Sequence, residues 1–409
     1  MRKSAMEINR DTRDLFLRMV GDFALDRKSV YPDCSGELED LLYLAHIHSL
    51  EPVVYYMLRE QRKQLLEQKP ELFRHMQRAY HSAVYVSVTQ EASRAEIEET
   101  FKRAGVKLVF FKGAQLRELY PVPELRTMGD MDCLIRREDR AMAHTLMEQL
   151  EFQCESHREP VWVYRRGVVV IEMHTQMGEN SMSNGFDYQS FFSHAIEHCG
   201  GEDGRFYLER EYLFVYLMYH IAKHLSSTGA GVRMIADIGV FLHNYRNQLD
   251  WDKVEKMLCQ SQLWGTALAV YGLCQRWFGV KTPVFVPVSE KVLDELETYI
   301  VAGGTFGFET HDTGDLYRRR AIQDKGGLSG WKFQFNMMMQ YLFPSNDVLA
   351  RYFGPAERHR WLVPVAWVCR CWGGIFERKQ RSLATIRSMT QGDIQRSRRE
   401  AELLREIGL

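Results

Sequence analysis

The segment VKLVFFKGAQLRELYPVPELRTMGDMDCLI, residues 106–135, contains two short runs rich in β-branched and aromatic residues, VKLVFF and DMDCLI. Such runs are typical of buried strands. A strand hairpin is predicted further along, in VWVYRRGVVVIEMH, residues 161–174, with its turn at Arg166 and Gly167. Residues 138–152 between them are amphipathic and predict one helix. The sequence therefore predicts a strand, loop, strand, helix and hairpin over 106–175, as the only strand-rich part of the chain.

The rest of the chain has helical periodicity. Apolar residues recur at spacings of three and four from Asp11 to about Gly105, where Pro70 suits the first turn of a helix and Gly105 its end. The same periodicity returns after Gly178. We expect four regions: a helical layer over 1–105, an α/β core over 106–200, a helical region over 201–310, and a helical region with a basic tail over 311–409.

The composition is that of an ordinary globular protein. The 409 residues are 45% hydrophobic and 26% charged, which excludes the disordered and low-complexity classes. A net charge of −1 predicts no strong nucleic-acid footprint for the chain as a whole. The eight cysteines include no CxxC pair, and the first residues lack the apolar run of a secretory signal. These features favour a reduced, cytoplasmic protein.

Two C-terminal segments need separate interpretation. The run WLVPVAWVCRCWGGIF, residues 361–376, is shorter than the roughly 20 apolar residues that a membrane span needs, so we expect a buried or interfacial helix. The tail over 378–409 contains eight Lys and Arg residues against four acids. A solvated helix is the simplest interpretation of the tail, and a nucleic-acid arm or a membrane-surface patch is the alternative.

Three acidic residues suggest a metal site. Asp130 and Asp132 are two apart, so on a strand their side chains share a face, with Cα atoms about 7 Å apart. Glu172 follows four β-branched residues, where a charge is costly unless it is paired or bound to metal. If the two strands are neighbours, the three acids converge, and oxygen ligands of this kind suit Mg²⁺. His174 would share the face of Glu172 and could meet a phosphate or a carboxylate.

Other residues suggest phosphate binding. Lys112 and Gly113 lie where a strand passes into a helix, an arrangement that exposes backbone N–H groups to phosphate oxygens. Arg126 adds a planar donor suited to phosphate. Arg233 and Asp237 are four apart on a predicted helix and most simply form an intrahelical ion pair. The alternative is that Arg233 contacts phosphate and Asp237 positions an acceptor.

The combination of Lys112-Gly113, the RxxxDxD element from Arg126 to Asp132 and the later strand ending in Glu172 and His174 resembles the nucleotidyltransferases of the polymerase beta superfamily. It is also similar to abortive-infection-type nucleotidyltransferase toxins. The resemblance implies a mixed sheet with flanking helices, and hence an α+β, mostly helical fold with a small mixed-sheet core. It implies that the three acids bind Mg²⁺, or Mn²⁺, and are catalytic.

The resemblance also implies that Lys112 and Gly113 hold the nucleoside triphosphate (NTP). It suggests that the helix of His220 and His224, which are four apart in MYHIAKH, faces the nucleotide. Packing in a core is the other interpretation of these histidines, and HIAKH lacks the Glu of a HExxH zinc site. The chain departs from the usual loop at Ala114, where Ser or Gly is common, and Glu replaces Asp as the third acid.

The sequence thus predicts transfer of a nucleoside monophosphate from an NTP to an acceptor hydroxyl, with release of pyrophosphate. A small molecule, a sugar, an RNA end or a protein side chain could each be the acceptor. A catalytically degenerate nucleotide-binding or regulatory protein with the same fold is the main alternative, and Ala114 is its support. A glycosyltransferase using DxD is a third, although it needs a larger doubly wound domain than 106–175 provides.

Overall fold

A computed structural model shows a mostly helical α+β fold built around one mixed sheet. The structure describes residues 5–409 apart from 183, 203, 228, 284–287, 308, 310–312, 325–330, 345–348, 350–358, 378 and 392. The strands are β1 (Val109–Phe110), β2 (Met131–Leu134), β3 (Gln153–Ser156), β4 (Val161–Arg166), β5 (Val169–His174), β6 (Cys199–Glu202) and β7 (Arg205–Leu208). They form one sheet in the order β3-β4-β5-β2-β1-β7-β6.

Helices precede, interrupt and follow this sheet. In chain order they are α1 (Arg10–Ala24), α2 (Leu38–Ile47), α3 (Glu51–Met57), α4 (Arg62–Gln68), α5 (Pro70–Arg103), α6 (Gly113–Leu116), α7 (Arg140–Gln149), α8 (Tyr188–Phe191), α9 (Arg210–Ser226), α10 (Val232–Tyr245), α11 (Trp251–Gln260), α12 (Trp264–Phe278), α13 (Glu290–Gly303), α14 (Thr313–Asp324), α15 (Trp331–Leu342), α16 (Val363–Trp372), α17 (Lys379–Gln391) and α18 (Ile394–Glu406). The long helix α5 begins at Pro70 and is followed by Gly105 at φ +71°, as its sequence predicts.

The central strands bury both faces because each face packs against a different set of helices. Val109, Phe111 and Leu134 belong to a large core shared with α1–α3, α9, α10 and α12. Phe110 and Cys133 alternate with them and belong to a second core against α5 and α7. This alternation follows from the period of two along a strand, and it separates the two sides of the sheet chemically.

The expected α+β, mostly helical class is confirmed, but the strand prediction was incomplete. The hairpin turns at Gly167, between Arg166 and Val169, as predicted. Two further elements extend the sheet at its edges: strand β3 beside β4, and the β6–β7 hairpin beside β1. The prediction that 106–175 is the only strand-rich part of the chain was therefore wrong, because β6 and β7 lie at 199–208.

The C-terminal elements are surface helices with one packed side. None of the helices in the described part of the chain is long and apolar enough to cross a membrane. Helix α16 buries Ala366 and leaves Trp372 exposed. Helix α18, in the basic tail, buries Ala401 and Leu404 and packs on α14. The tail is helical, as expected; an apolar stripe of α18 faces the protein, and its other side is exposed to solvent.

Candidate active site

The acidic residues meet where β2 lies beside β5. The two strands are parallel, and their register pairs Asp132 with Glu172 and Leu134 with His174. Residues paired in register point to the same face of a sheet, so the two carboxylates lie side by side. Ligand atoms of Asp132, Glu172 and His174 all lie within 4.8 Å of one another. The structure therefore brings these three side chains together on one face.

Asp130 joins them from the loop that enters β2. It precedes Met131, the first residue of the strand, and it is exposed at a cleft that Asp132 and Glu172 also line. The expectation that both aspartates lie on the strand is thus met by Asp132 alone. Asp130 instead occupies a loop position from which its carboxylate reaches the same cleft.

Three different elements hold this loop in place. The side chain of Gln90 on α5 donates to the carbonyl of Met128 at 3.2 Å. The hydroxyl of Thr127 donates to the carbonyl of Ser49 at 3.0 Å. Arg233 on α10 donates to the carbonyl of Thr127 at 2.9 Å. Because these anchors come from distant parts of the chain, the position of Asp130 depends on the whole helical framework.

Lys112 lies on Asp132 at the turn between β1 and α6. Its ammonium Nζ is 2.7 Å from Oδ1 of Asp132. Its backbone has φ +50°, a left-handed conformation that costs a non-glycine residue on the order of 1–3 kcal/mol. At the next position, a Cβ on Gly113 would lie 2.5 Å from Nη1 of Arg126. A side chain at this position would therefore have to displace the guanidinium of Arg126 or the sulfur of Met128.

Asp132 is the electrostatic centre of the group. Its Oδ1 also lies 2.9 Å from Nε2 of His174. Burial raises the pKa of Asp132, but Lys112 and His174 outweigh burial and hold it below its usual range. Burial lowers the pKa of His174 despite the neighbouring carboxylate. We infer an ionised Asp132, a charged Lys112 and a neutral His174 whose Nε2–H donates to Oδ1.

The other two acids repel Asp132 and each other. Burial, followed by the charges of Asp130 and Asp132, raises the pKa of Glu172 to about 7. Partial desolvation at the wall of the cleft, followed by the charge of Asp132, likewise raises the pKa of Asp130. One ammonium group, from Lys112, thus leaves the three carboxylates only partly neutralised. A hard cation is what such a group of oxygen ligands accommodates.

Arg126 forms an ion pair with Asp237, the acid that helical spacing predicts as the partner of Arg233. Its Nη2 donates to Oδ2 of Asp237 at 2.6 Å and its Nε to Oδ1 at 3.2 Å, with both residues buried. Tyr120 donates to the same Asp237 at 2.8 Å. The predicted Arg233–Asp237 ion pair was therefore wrong, because Arg126 holds the carboxylate. Arg126 lines the cleft, but its guanidinium is already engaged.

The opposite wall of the cleft is helix α9. His220 and His224 lie there one turn apart, with ring centroids separated by 4.6 Å, and Lys223 lies between them in sequence. Burial is the main reason that the pKa values of both histidines are lowered, to about 4 for His224. The cleft has a volume of about 310 Å³ and is lined by every predicted site residue except His174.

A family model described as an uncharacterised nucleotidyltransferase matches residues 35–279, more than half of the chain. The chain belongs to this nucleotidyltransferase family. The resemblance predicted from the motifs is thereby confirmed. A solution structure of the antibiotic-resistance factor ANT(2'')-Ia is similar at 15% identity and a TM-score of 0.32, covering 46% of this chain and 97% of that one. No curated protein matches the chain.

The position that departs from the usual nucleotidyltransferase loop lies outside the cleft. Ala114 is buried in the core against α5 and α7, and its carbonyl accepts a hydrogen bond from Arg94 at 3.1 Å. A hydroxyl at this position would point into that core. In this family member, Ala114 is therefore no evidence that the cleft has lost its function.

Two further cationic residues line the cleft, one that sequence reasoning missed and one whose role it left open. Sequence reasoning missed Lys223. The available signal was its position between the two histidines of HIAKH, one residue before His224 on the same helix. Its Nζ is 2.9 Å from Oε1 of Glu179. Arg233 lines the cleft, and burial together with Arg126 lowers its pKa to about 10. A cation kept in this environment favours an anionic ligand.

Proposed function

We propose that the protein is a Mg²⁺-dependent, or Mn²⁺-dependent, nucleotidyltransferase that moves a nucleoside monophosphate from an NTP to an acceptor hydroxyl. The observation that supports this most is the register of β2 and β5, which sets Asp132 beside Glu172 in a cleft that Arg233 and Lys223 also line. Carboxylates for a metal and cations for phosphates thus occupy the same cleft.

The residues present fit a divalent cation. Asp130 and Glu172 have raised pKa values, burial being the main cause and like charge the second, and a bound cation would lower them. Both hydrogen bonds to Asp132 described above go to Oδ1, which leaves Oδ2 for a ligand role. Asp130, Asp132 and Glu172 would hold the ion. When bound, the ion neutralises the carboxylates and polarises the phosphoryl group under attack.

The chain's own groups would bind the triphosphate and move the proton. Arg233 and Lys223 offer charged donors for phosphate oxygens, and His220 and His224 offer neutral ones. Glu172, whose carboxylate lies beside that of Asp132, would accept the proton of the acceptor hydroxyl. The hydroxyl oxygen bonds to the α-phosphorus, the bond to the bridging oxygen breaks, and pyrophosphate leaves.

We assign Arg126 and Lys112 to positioning and charge balance. Arg126 fixes the loop of Asp130 to α10 through Asp237. Lys112 keeps Asp132 ionised and oriented, and its ammonium is close enough to the carboxylates to meet a phosphate when the cleft fills. Gly113 lets the loop approach, and His174 fixes the carboxylate of Asp132.

A nucleotide-binding protein without catalysis is the second candidate. Lys112 favours it, because its ammonium already neutralises part of the charge that a metal would neutralise. In this case the protein would bind an NTP with Mg²⁺ but form no product.

The test is thermal-shift titration of the wild type and Asp130→Asn with each of the four NTPs, with and without Mg²⁺, followed by measurement of pyrophosphate release. We expect an Mg²⁺-dependent stabilisation by at least one NTP, because a ligand that binds only the folded state raises its stability. Asp130→Asn should lose it, whereas Glu138→Gln, at an exposed acid beyond β2, should keep it.

The outcomes separate the candidates. Stabilisation of the wild type by Mg²⁺ and an NTP, without pyrophosphate release across a broad acceptor panel, would favour the binding protein. A folded wild type that no NTP stabilises would contradict both candidates.

A further inference from the structure

A second group of metal-ligating side chains lies on the opposite face of the sheet, at its β3 edge. It consists of His144 on α7, Cys154 on β3 and His157 immediately after β3. One ligand atom from each residue lies within 4.8 Å of the others. Cys154 packs against the core of α5 and α7, whereas Asp132 and Glu172 face the cleft on the other side. The group is therefore separate from the proposed active site.

A β-bulge puts Cys154 and His157 on the same side. Residues three apart on a regular strand point to opposite faces. Here the register pairs Cys154 with Tyr164 and Ser156 with Val163, so two steps along β3 match one step along β4. The extra residue reverses the alternation and returns His157 to the face of Cys154. Bulges commonly re-aim side chains in this way next to functional sites.

Aromatic and acidic neighbours orient the two imidazoles. The Trp162 ring packs edge-on against His157 at 4.7 Å and against His144 at 5.4 Å between centroids. Nδ1 of His144 lies 3.3 Å from the hydroxyl of Tyr164. Its other nitrogen, Nε2, lies 3.5 Å from Oε1 of Glu148, one turn further along α7. One ring nitrogen is thus held by a hydroxyl, and the other is directed toward a carboxylate.

We propose that His144, Cys154 and His157 bind one Zn²⁺ ion, with water completing its coordination and Glu148 close by as a partner of His144. A thiolate and two imidazoles are ligands that Zn²⁺ prefers, a site with three protein ligands leaves one position for water, and a thiolate disfavours Mg²⁺. Tyr164 would support His144 as an outer-shell partner. The ion would fasten the edge strand β3 to helix α7. Because this site shares no residue with the cleft, it does not rest on the proposed function.

The ion must displace a proton from the thiol. Burial raises the pKa of the Cys154 thiol, and metal binding requires the thiolate. Zinc affinity should therefore rise with pH through the neutral range. The positive charge of Arg140 lowers the pKa of the Cys154 thiol and assists this step. The Arg140 guanidinium lies 4.8 Å from the centroid of the Trp162 ring and pairs with Glu159.

The test uses Co²⁺ as a spectroscopic substitute for Zn²⁺ in the full-length protein. We expect one equivalent of Co²⁺ to produce thiolate-to-cobalt charge-transfer absorption, and one equivalent of Zn²⁺ to abolish it. Cys154→Ser should lose the band, whereas Cys259→Ser, at an exposed cysteine on α11, should keep it. Asp130→Asn should also keep it, because carboxylates in the cleft bind cations without a thiolate band.

A second variant guards against misfolding of Cys154→Ser. His157 is exposed, so His157→Asn should fold normally and bind Co²⁺ at least ten-fold more weakly. A wild type that gives no thiolate band with Co²⁺, a band that survives in Cys154→Ser, or unchanged affinity in His157→Asn would each overturn the proposal. None of these results depends on NTP binding, so the two proposals can fail separately.

Discussion

The two faces of the sheet at β2 and β5 differ in chemistry, although both faces are formed by the same two strands. One face is apolar and almost completely buried against α5 and α7: Met131, Cys133, Ile171 and Met173. The other face presents polar side chains to the cleft or beside it: Asp132, Glu172 and His174. Adjacent residues therefore have opposite surroundings along both strands.

Residues that stabilise the fold therefore alternate along each strand with residues that line the cleft. The apolar face removes hydrocarbon from water, about 1.5–3 kcal/mol for each fully buried large side chain. The cleft face instead carries two carboxylates beside that of Asp130 on the adjoining loop, and burial together with these like charges raises the pKa of Glu172. A substitution on the apolar face should therefore reduce the free energy of unfolding and leave turnover unchanged, and a substitution on the cleft face should do the reverse. Neighbouring residues on one strand can test this.

The largest effect is expected for Asp132→Asn on the cleft face. The amide keeps the size of the side chain but loses the charge that Lys112 and His174 contact. We expect NTP turnover to fall by at least about 1000-fold, on the order of 4 kcal/mol of transition-state stabilisation. Pyrophosphate release measures this loss, and circular dichroism checks the fold. A folded variant with wild-type turnover would contradict the proposed role of the carboxylates.

Ile171→Ala tests the apolar face one residue from Glu172. Ile171 is fully buried, so truncation should reduce the free energy of unfolding by about 3 kcal/mol through lost burial and an unfilled cavity. Turnover per folded molecule should stay within two-fold of the wild type. Urea denaturation measures the first effect and pyrophosphate release below the transition the second. Val168→Ala, in the exposed hairpin turn, is the matched control, with a negligible stability change expected.

The sequence predicts the central strands well because their chemistry is local. The runs at 109–110, 131–134 and 169–174 are apolar enough to identify, and the period of two within each strand then separates Asp132 and Glu172 from their apolar neighbours. The parallel register that sets them opposite each other is a tertiary property. From the sequence, the acids converge only if the two strands are neighbours, and the structure supplies both the pairing and its register.

The elements that the sequence missed lack such local signals. Strand β3, QCES, is half exposed at a sheet edge, and β6, CGGE, contains two glycines, so neither shows apolar alternation. The Arg126–Asp237 pair joins residues 111 positions apart, whereas helical spacing could indicate only the local Arg233–Asp237 alternative. Pairings of this kind depend on how the helices pack around the sheet, which the spacing of residues does not encode.

His48 tests whether a polar group on the cleft side of the sheet can be purely structural. It is fully buried, with Nε2 3.0 Å from the carbonyl of Val301 and Nδ1 3.4 Å from the amide of Val232. Burial lowers its pKa to about 4, below the usual value of about 6.5. The unfolded chain therefore binds more protons between these values, and the stability that neutral His48 provides is lost as the pH falls.

The expected contribution is about 2 kcal/mol of unfolding free energy lost between pH 7.5 and pH 5. His48→Gln should be less stable at pH 7.5 but should lose about 2 kcal/mol less on acidification than the wild type. Urea titrations at both pH values measure the difference, with His243→Gln, an exposed histidine on α10, as the control. Equal acid sensitivity in wild type and His48→Gln would show that His48 is not the titrating group.

Arg233→Met should give the smallest effect, and it separates phosphate binding from metal binding within the cleft. The substitution keeps an unbranched side chain on α10 and removes the charged donor, while Asp237 stays paired with Arg126. We expect KM for the NTP to rise about ten-fold, since one charged hydrogen bond to phosphate contributes roughly 1.5–3 kcal/mol. The Mg²⁺ concentration for half-maximal activity at saturating NTP should change less than KM, because the hydrogen bonds of Arg233 go to Thr127 and not to one of the three acids. Arg136→Met, at an exposed arginine beyond β2, should change neither quantity.

If Arg233→Met altered the Mg²⁺ requirement and left KM unchanged, Arg233 would act on the loop of Asp130 through Thr127. Binding of the triphosphate would then depend on Lys223 and the α9 histidines instead.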